Sequence, residues 1–254
     1  GGASAAARVT VGESQLKSLS SFEVINVDDA TATHIGITLT DTVVDANATA
    51  AALSVIGIDS TGGTASTALI TMDASAVTNT AVLTLTGGNA ADTIKGGAGA
   101  DEINGGQGND TLTGGGGSDD FAYGASGGTD TITDMNFGTS TTTVDQLDVT
   151  AIMTVTSAAD VDTVSGGGVD GNTDVTILDT ASYASAALAE DAVVSTGATA
   201  EGIVIWQNSL GVVYVSRDAN TNADNTGFET DAFILSGVSI ADIKSLINAG
   251  DFII

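Results

Sequence analysis

Between Gly87 and Ala122 one nine-residue unit recurs four times without a gap: GGNAADTIK, GGAGADEIN, GGQGNDTLT and GGGGSDDFA. Each copy supplies two glycines, a small or polar stretch, an aspartate in sixth place and a large apolar residue in eighth. Self-similarity at a short fixed period marks a stacked coil, in which each unit buries its apolar side only against its neighbours. A flexible Gly-rich linker would carry the glycines. It would have no reason to hold Asp92, Asp101, Asp110 and Asp119 at a constant spacing of nine, each with an apolar residue two places later.

The unit divides into a loop and a strand. Glycine reaches positive φ at little cost, so the first six residues can turn sharply and aim carbonyls inward. The last three form a short strand whose central side chain points inward, which stacks Ile94, Ile103, Leu112 and Phe121 in a column. Nine residues make half a turn, so loops on one edge recur every eighteen. Gly87–Asp92 therefore pairs with Gly105–Asp110, and Gly96–Asp101 with Gly114–Asp119. Carbonyls and carboxylates converging in this way suit Ca²⁺, which takes six to eight oxygens. The candidate ligands are Asp92, Asp101, Asp110 and Asp119 with Gly87, Asn89, Gly96, Ala98, Gly99, Gly105, Gln107, Gly108, Gly114, Gly116 and Gly117, and several ions are expected.

These residues resemble the repeats-in-toxin (RTX) family of type I-secreted bacterial proteins. The array covers 36 of 254 residues. The likeness continues through Phe121-Ala122-Tyr123, Gly128–Asp134 and Asp145-Gln146-Leu147-Asp148-Val149, which is similar to the segment that closes such rolls. It implies that Asp130 completes the last calcium site. Two departures stand out: Ala90 replaces the usual fourth-place glycine of the first loop, and 123–128 is not a clean fifth repeat. The resemblance further implies export by a type I apparatus and an extracellular location on the surface of a Gram-negative bacterium. Expected partners are further copies of the chain, cell-surface polysaccharide and, during export, the secretion apparatus.

Charge narrows the partners. Five Lys+Arg against 32 Asp+Glu leave a formal net charge of −27, which excludes nucleic acid, because phosphate recognition needs Lys and Arg. Such charge opposes compaction unless cations offset it. Disorder is excluded by the 42% of hydrophobic residues set in short alternating runs. With no cysteine there is no disulfide framework, and calcium takes that stapling role. No apolar run is long enough for a membrane-spanning helix. No signal-peptide pattern is visible and the chain begins at Gly1, so a processed or partial chain is expected.

Upstream of the repeats, alternating apolar runs end in an acid at Ile25–Asp28, Ile37–Asp41, Ile56–Asp59 and Ile70–Asp73, and Leu83–Thr86 runs into Gly87. Their ends fall 13 to 18 residues apart, as in the rungs of a β-helix with each strand one coil above the last. The acids read as turn residues at the corners rather than as a second calcium edge. Residues 1–20 are a candidate cap, with a short helix over Glu13–Ser20. Downstream, Val161–Val164, Val175–Leu178, Val193–Val194 and Phe233–Leu235 read as strands. Ile203–Trp206 and Val212–Val215 form a hairpin with Trp206 facing Tyr214. Ser239–Asp242 opens a helix. Asp251–Ile254 is similar to an uncleaved secretion signal and equally suits a last strand. Asp218, Asn220, Asn222, Asp224, Thr226 and Glu229 mimic EF-hand spacing, but Ala223 stands where glycine is needed, so a polar turn is the favoured reading.

No catalytic constellation survives. Gly124–Gly128 fits G-x-S-x-G, yet a serine nucleophile needs a base, and the single histidine, His34, precedes it in the wrong order and is expected on a strand face beside Ile35. There is no HExxH. Asp119-Asp120 is not a paired-carboxylate centre, because the repeat register makes Asp119 a ligand and Asp120 a strand residue. The expected fold is all-β: a right-handed parallel β-helix running into a calcium β-roll solenoid, followed by a β-rich C-terminal segment. The expected units are 1–86, 87–134 and 135–254. The expected function is non-enzymatic, a calcium-dependent, self-assembling surface protein of the S-layer or adhesin kind. The alternative is the folding and secretion module of a secreted hydrolase or toxin. A third reading is a carbohydrate- or ice-binding face built on Thr38, Thr40, Thr71, Thr84 and Thr86.

Overall fold

The computed structural model describes residues 8–11, 24–27, 34–47, 52–59, 64–65, 67–124, 127–138, 143–150, 161–164, 175–178, 182–184, 189, 202–218, 230–241, 243 and 252–253. The strands before the repeats are β1 (Arg8–Val11), β2 (Val24–Val27), β3 (His34–Thr40), β4 (Ala52–Asp59), β5 (Thr64–Ala65), β6 (Leu69–Ala76) and β7 (Val82–Thr86). The repeats contribute β8 (Thr93–Lys95), β9 (Glu102–Asn104), β10 (Thr111–Thr113) and β11 (Asp120–Ala122). After them come β12 (Asp130–Ile132), β13 (Gln146–Asp148), β14 (Val161–Val164), β15 (Val175–Leu178), β16 (Gly202–Gln207), β17 (Val213–Asp218), β18 (Thr230–Leu235) and β19 (Phe252–Ile253).

Through β13, and apart from β5, successive strands fall alternately into two sheets. One runs β1-β3-β6-β8-β10-β12-β18-β17-β16-β15-β14, the other β19-β13-β11-β9-β7-β4-β2, with β5 paired to β4 alone. Through β13 every neighbouring pair in these two orders is parallel. The repeats keep the eighteen-residue register expected of half-turns: Thr93 lies opposite Thr111, and Glu102 opposite Asp120.

One expectation needs correction. The upstream runs do not stack each directly above the last. Ile37–Thr40 and Ile70–Asp73 belong to one sheet, whereas Ile25–Val27, Ile56–Asp59 and Leu83–Thr86 belong to the other. Sequential runs alternate between the two sheets, so only alternate runs pair directly. The irregular spacing comes from what connects them. After β3 the chain forms α1 (Asp41–Asn47), which buries Val43 and Val44. The sequence DTVVDAN has poor helix propensity, so burial of those valines, not intrinsic preference, supports the helix.

Parallel register turns the alternating pattern into continuous apolar columns. In the first sheet Ile37, Met72, Ile94, Leu112, Ile132 and Leu235 are successive partners. In the second the column is Ile25, Val55, Leu85, Ile103, Phe121 and Leu147. Together they form one core running through the upstream strands, the repeats and β13. Outward positions are polar, with Thr71, Thr93, Thr111 and Thr131 in line on one wall.

Beyond β13 the pattern changes. β18 adds in parallel to β12, β17 is antiparallel to both β18 and β16, and β15 and β14 return to parallel. The expected hairpin is present as β16–β17, with Trp206 opposite Tyr214 and their rings stacked at 4.5 Å. Leu178, Val204 and Trp206 are buried outside the main core, and Trp206 Nε1 donates to Ser216 Oγ at 2.8 Å. Phe252–Ile253 forms the last strand against β13. The Glu13–Ser20 cap, Val193–Val194 and the loop from Asn220 to Glu229 lie outside the described residues, as does Ser126. His34 sits on β3 with Nε2 2.9 Å from Thr71 Oγ1.

Candidate metal centre

The half-turn loops line up along the two edges between the sheets. On one edge Gly105–Asp110 lies over Gly87–Asp92, with Gln107 N–H bonded to Gly88 O at 2.8 Å and Thr111 N–H to Asp92 O at 2.9 Å. On the other Gly114–Asp119 lies over Gly96–Asp101, with Gly116 N–H bonded to Gly97 O and Asp120 N–H to Asp101 O. The stacking is too close for side chains. At Gly108 and Gly117, with φ of 121° and 123°, a Cβ would strike the carbonyls of Ala90 and Gly99 below. Gly99, in the same place of the second loop, lies outside the left-handed region. The first-loop position that carries Ala90 therefore belongs to the lower pair of loops, where the second-loop example does not require that conformation.

The sixth-place aspartates form two columns. Asp92 N–H donates to Asp110 Oδ1 at 2.7 Å, and Asp101 N–H to Asp119 Oδ1 at 2.9 Å. The columns extend beyond the repeats in both directions. Below, Asp92 Oδ1 accepts from Ile70 N–H and Asp101 Oδ1 from Leu83 N–H. Above, Asp110 N–H donates to Asp130 Oδ1 at 3.0 Å, which places Asp130 over the first edge.

Asp119 N–H donates to Asp145 Oδ1 at 3.0 Å, and Asp145 Oδ2 also accepts from Asn136 N–H. Asp134 accepts from Gly114 and Gly115 N–H, both at 2.9 Å. Neither Asp134 nor Asp145 was among the sequence candidates. A signal for Asp145 existed: Asp145-Gln146-Leu147 keeps the aspartate-then-apolar spacing of the repeats after the glycines have gone. Asp120, by contrast, lies on β11 opposite Glu102, away from the columns.

The electrostatics ask for a cation. Asp92, Asp101, Asp110, Asp119 and Asp130 are each at most 2% exposed. Burial pushes Asp92 and Asp119 up to about 7 and Asp101 to about 6, with backbone N–H donors only partly opposing it. Asp110 and Asp130 are also raised by burial. Among the described residues no lysine or arginine offsets any of the five. Asp110 Oδ2 and Asp130 Oδ2 are buried without any hydrogen-bond partner. A buried carboxylate oxygen in that state costs free energy unless it is protonated or bound to a cation.

The donor set fits Ca²⁺. It offers carboxylate and carbonyl oxygens, with no thiol in the chain. Among the described residues no three acidic or histidine side chains converge. An ion here would be held by paired aspartates from stacked loops and by the loop carbonyls, and would neutralise the columns.

A profile of the RTX calcium-binding nonapeptide repeat matches residues 86–121 in four copies. No curated protein matches the chain. Repeats of this kind are typical of secreted bacterial proteins, and among the described residues no helix is long and apolar enough to cross a membrane. The stacked loops from Gly87 to Asp119, with their buried aspartate columns, are RTX calcium-binding repeats, and Ca²⁺ is their ligand.

Proposed function

We propose that this chain is a calcium-dependent structural protein of the bacterial cell surface, S-layer-like or adhesin-like, self-assembling and exported by type I secretion. Its body is a right-handed parallel solenoid whose two walls are the two sheets. The observation that carries the reading is continuity. The repeats do not hang from a separate globular unit, because β3, β4, β6 and β7 share sheets, register and apolar columns with β8–β11. A regular rod with flat walls and two ends suits repeated, heterologous contacts between copies, and cell-surface polysaccharide is the partner proposed for anchoring. The absence of any nucleophile–base or HExxH pattern in the sequence supports a non-enzymatic role.

Calcium enters the assembly through charge. At −27 two chains repel until cations neutralise them. Negative-stain imaging of the full chain in millimolar calcium should show sheets or filaments that dissolve in chelator. Monodisperse monomer at high concentration, with calcium bound, would instead favour a folding and secretion module of a larger hydrolase or toxin.

A further inference from the structure

The loop Gly96–Asp101 has two unlike neighbours along its edge. Above it lies another repeat, Gly114–Asp119. Below it lies the turn at 77–81, which has none of the repeat's glycines or aspartates. The lower turn nevertheless shapes the loop. Val77 O accepts Ala98 N–H at 3.0 Å, and Leu83 N–H reaches Asp101 Oδ1 at 2.9 Å. Gly99 lies so close that a Cβ there would strike the Ala81 carbonyl.

That turn is closed by a carboxylate one coil further down, with hydrogen bonds alone. Asp41 Oδ1 accepts Thr78 N–H at 2.7 Å and Asn79 N–H at 3.1 Å, and Oδ2 accepts the Thr78 hydroxyl at 2.6 Å. Asn79 Oδ1 then accepts Ala81 N–H at 3.0 Å. The chain of support runs Asp41, Thr78–Asn79, Val77 and Ala81, and then the Gly96–Asp101 loop. Both lower aspartates dock on a backbone N–H below, Asp92 on Ile70 and Asp101 on Leu83; what sets this edge apart among the described residues is the Asp41 carboxylate that closes the turn beneath it.

We propose that Asp41 is a positioning residue for calcium binding on the Gly96–Asp101/Gly114–Asp119 edge, acting through the 77–81 turn on which the lower loop is moulded. Asp41 touches no ion. It sets the carbonyl and carboxylate positions of one half-site before calcium arrives, so part of the ordering cost is met in the metal-free chain. The proposal rests on the calcium reading of the repeats.

The test is calcium titration of the full chain by calorimetry, for Asp41→Ala, Asp41→Asn and each combined with Asp119→Asn or Asp110→Asn. Loss of a cap of this kind is worth roughly fivefold to tenfold in affinity. Asp41→Ala should weaken one class of sites by about that factor. It should add nothing further in the Asp119→Asn background and its full effect in the Asp110→Asn background. Asp41→Asn keeps an oxygen for the two backbone N–H groups and should recover most of the affinity. Equal losses on both edges, no loss, or an asparagine variant as weak as the alanine one would each overturn the proposal. Should Asp41→Ala fail to fold, Thr78→Val removes one of the three bonds and should show the same edge selectivity. A wild-type chain that binds no calcium would sink the underlying reading instead.

Discussion

Replacing Asp110 by asparagine should move the metal-free and calcium-bound proteins in opposite directions. The new side chain would keep an oxygen for the Asp92 N–H, now 2.7 Å from Asp110 Oδ1. Its amide nitrogen would take the place of Oδ2, toward the Asp130 carboxyl, with which Asp110 can share a hydrogen bond only while one of the two is protonated; ionised, neither Oδ2 has a donor. The substitution therefore removes a buried charge and supplies a donor where one is missing. Its size follows from the neighbouring columns. Asp101 and Asp119 are raised from 3.8 to about 6 and about 7, roughly two to three units at about 1.4 kcal/mol each. Partial solvent screening about halves that, leaving about 2 kcal/mol per carboxylate. Without metal, Asp110→Asn should raise the folded-to-unfolded ratio by a factor of about 30, read as increased β-signal in circular dichroism at neutral pH in chelator. With calcium, the variant lacks one carboxylate of the stacked pair and should need more ion to reach the same signal. A variant with less β-structure in chelator, or with unchanged calcium response, would refute the argument that these columns are held apart by uncompensated charge.

Two further outcomes concern the aspartate columns and the apolar core between the sheets. Asp92, Asp101 and Asp119 have folded values above the ordinary 3.8, so their contribution to metal-free stability is full below about pH 4 and lost as pH rises through about 6 to 7. Calcium-free β-signal should therefore be highest in mild acid and fall toward pH 8, and a signal that rises with pH would contradict it. Leu112→Ala should cost about 2 to 5 kcal/mol in a calcium-saturated urea melt, because Leu112 is fully buried in the middle of its column; a loss under about 1 kcal/mol would show that the column is not closely packed.

The nonapeptide array was legible from sequence down to the residue. The strands at 93–95, 102–104, 111–113 and 120–122, their inward side chains and the eighteen-residue register all follow from a unit that repeats in every respect. A strict repeat leaves only one stacking that keeps both the glycines in the loops and the apolar residues inside. The β16–β17 hairpin was legible for a related reason, since its strands and turn are adjacent in the chain.

What the sequence could not supply was every pairing made across distance. Alternating runs such as Ile37–Asp41 and Ile56–Asp59 announce strands but not which wall each joins, because period two describes one strand's faces and says nothing of its neighbour. The helix at Asp41–Asn47 forms against local propensity, because burial of Val43 and Val44 decides it. Asp134 and Asp145 lie beyond the last glycine loop, and only the fold returns them to Gly114, Gly115 and Asp119. Asp41 reads in sequence as a corner turn acid, but it opens the helix Asp41–Asn47, and its carboxylate accepts from the separate turn at Thr78 and Asn79. That the turn it holds lies against the Gly96–Asp101 loop follows from hydrogen bonds made across distance, which no local pattern records.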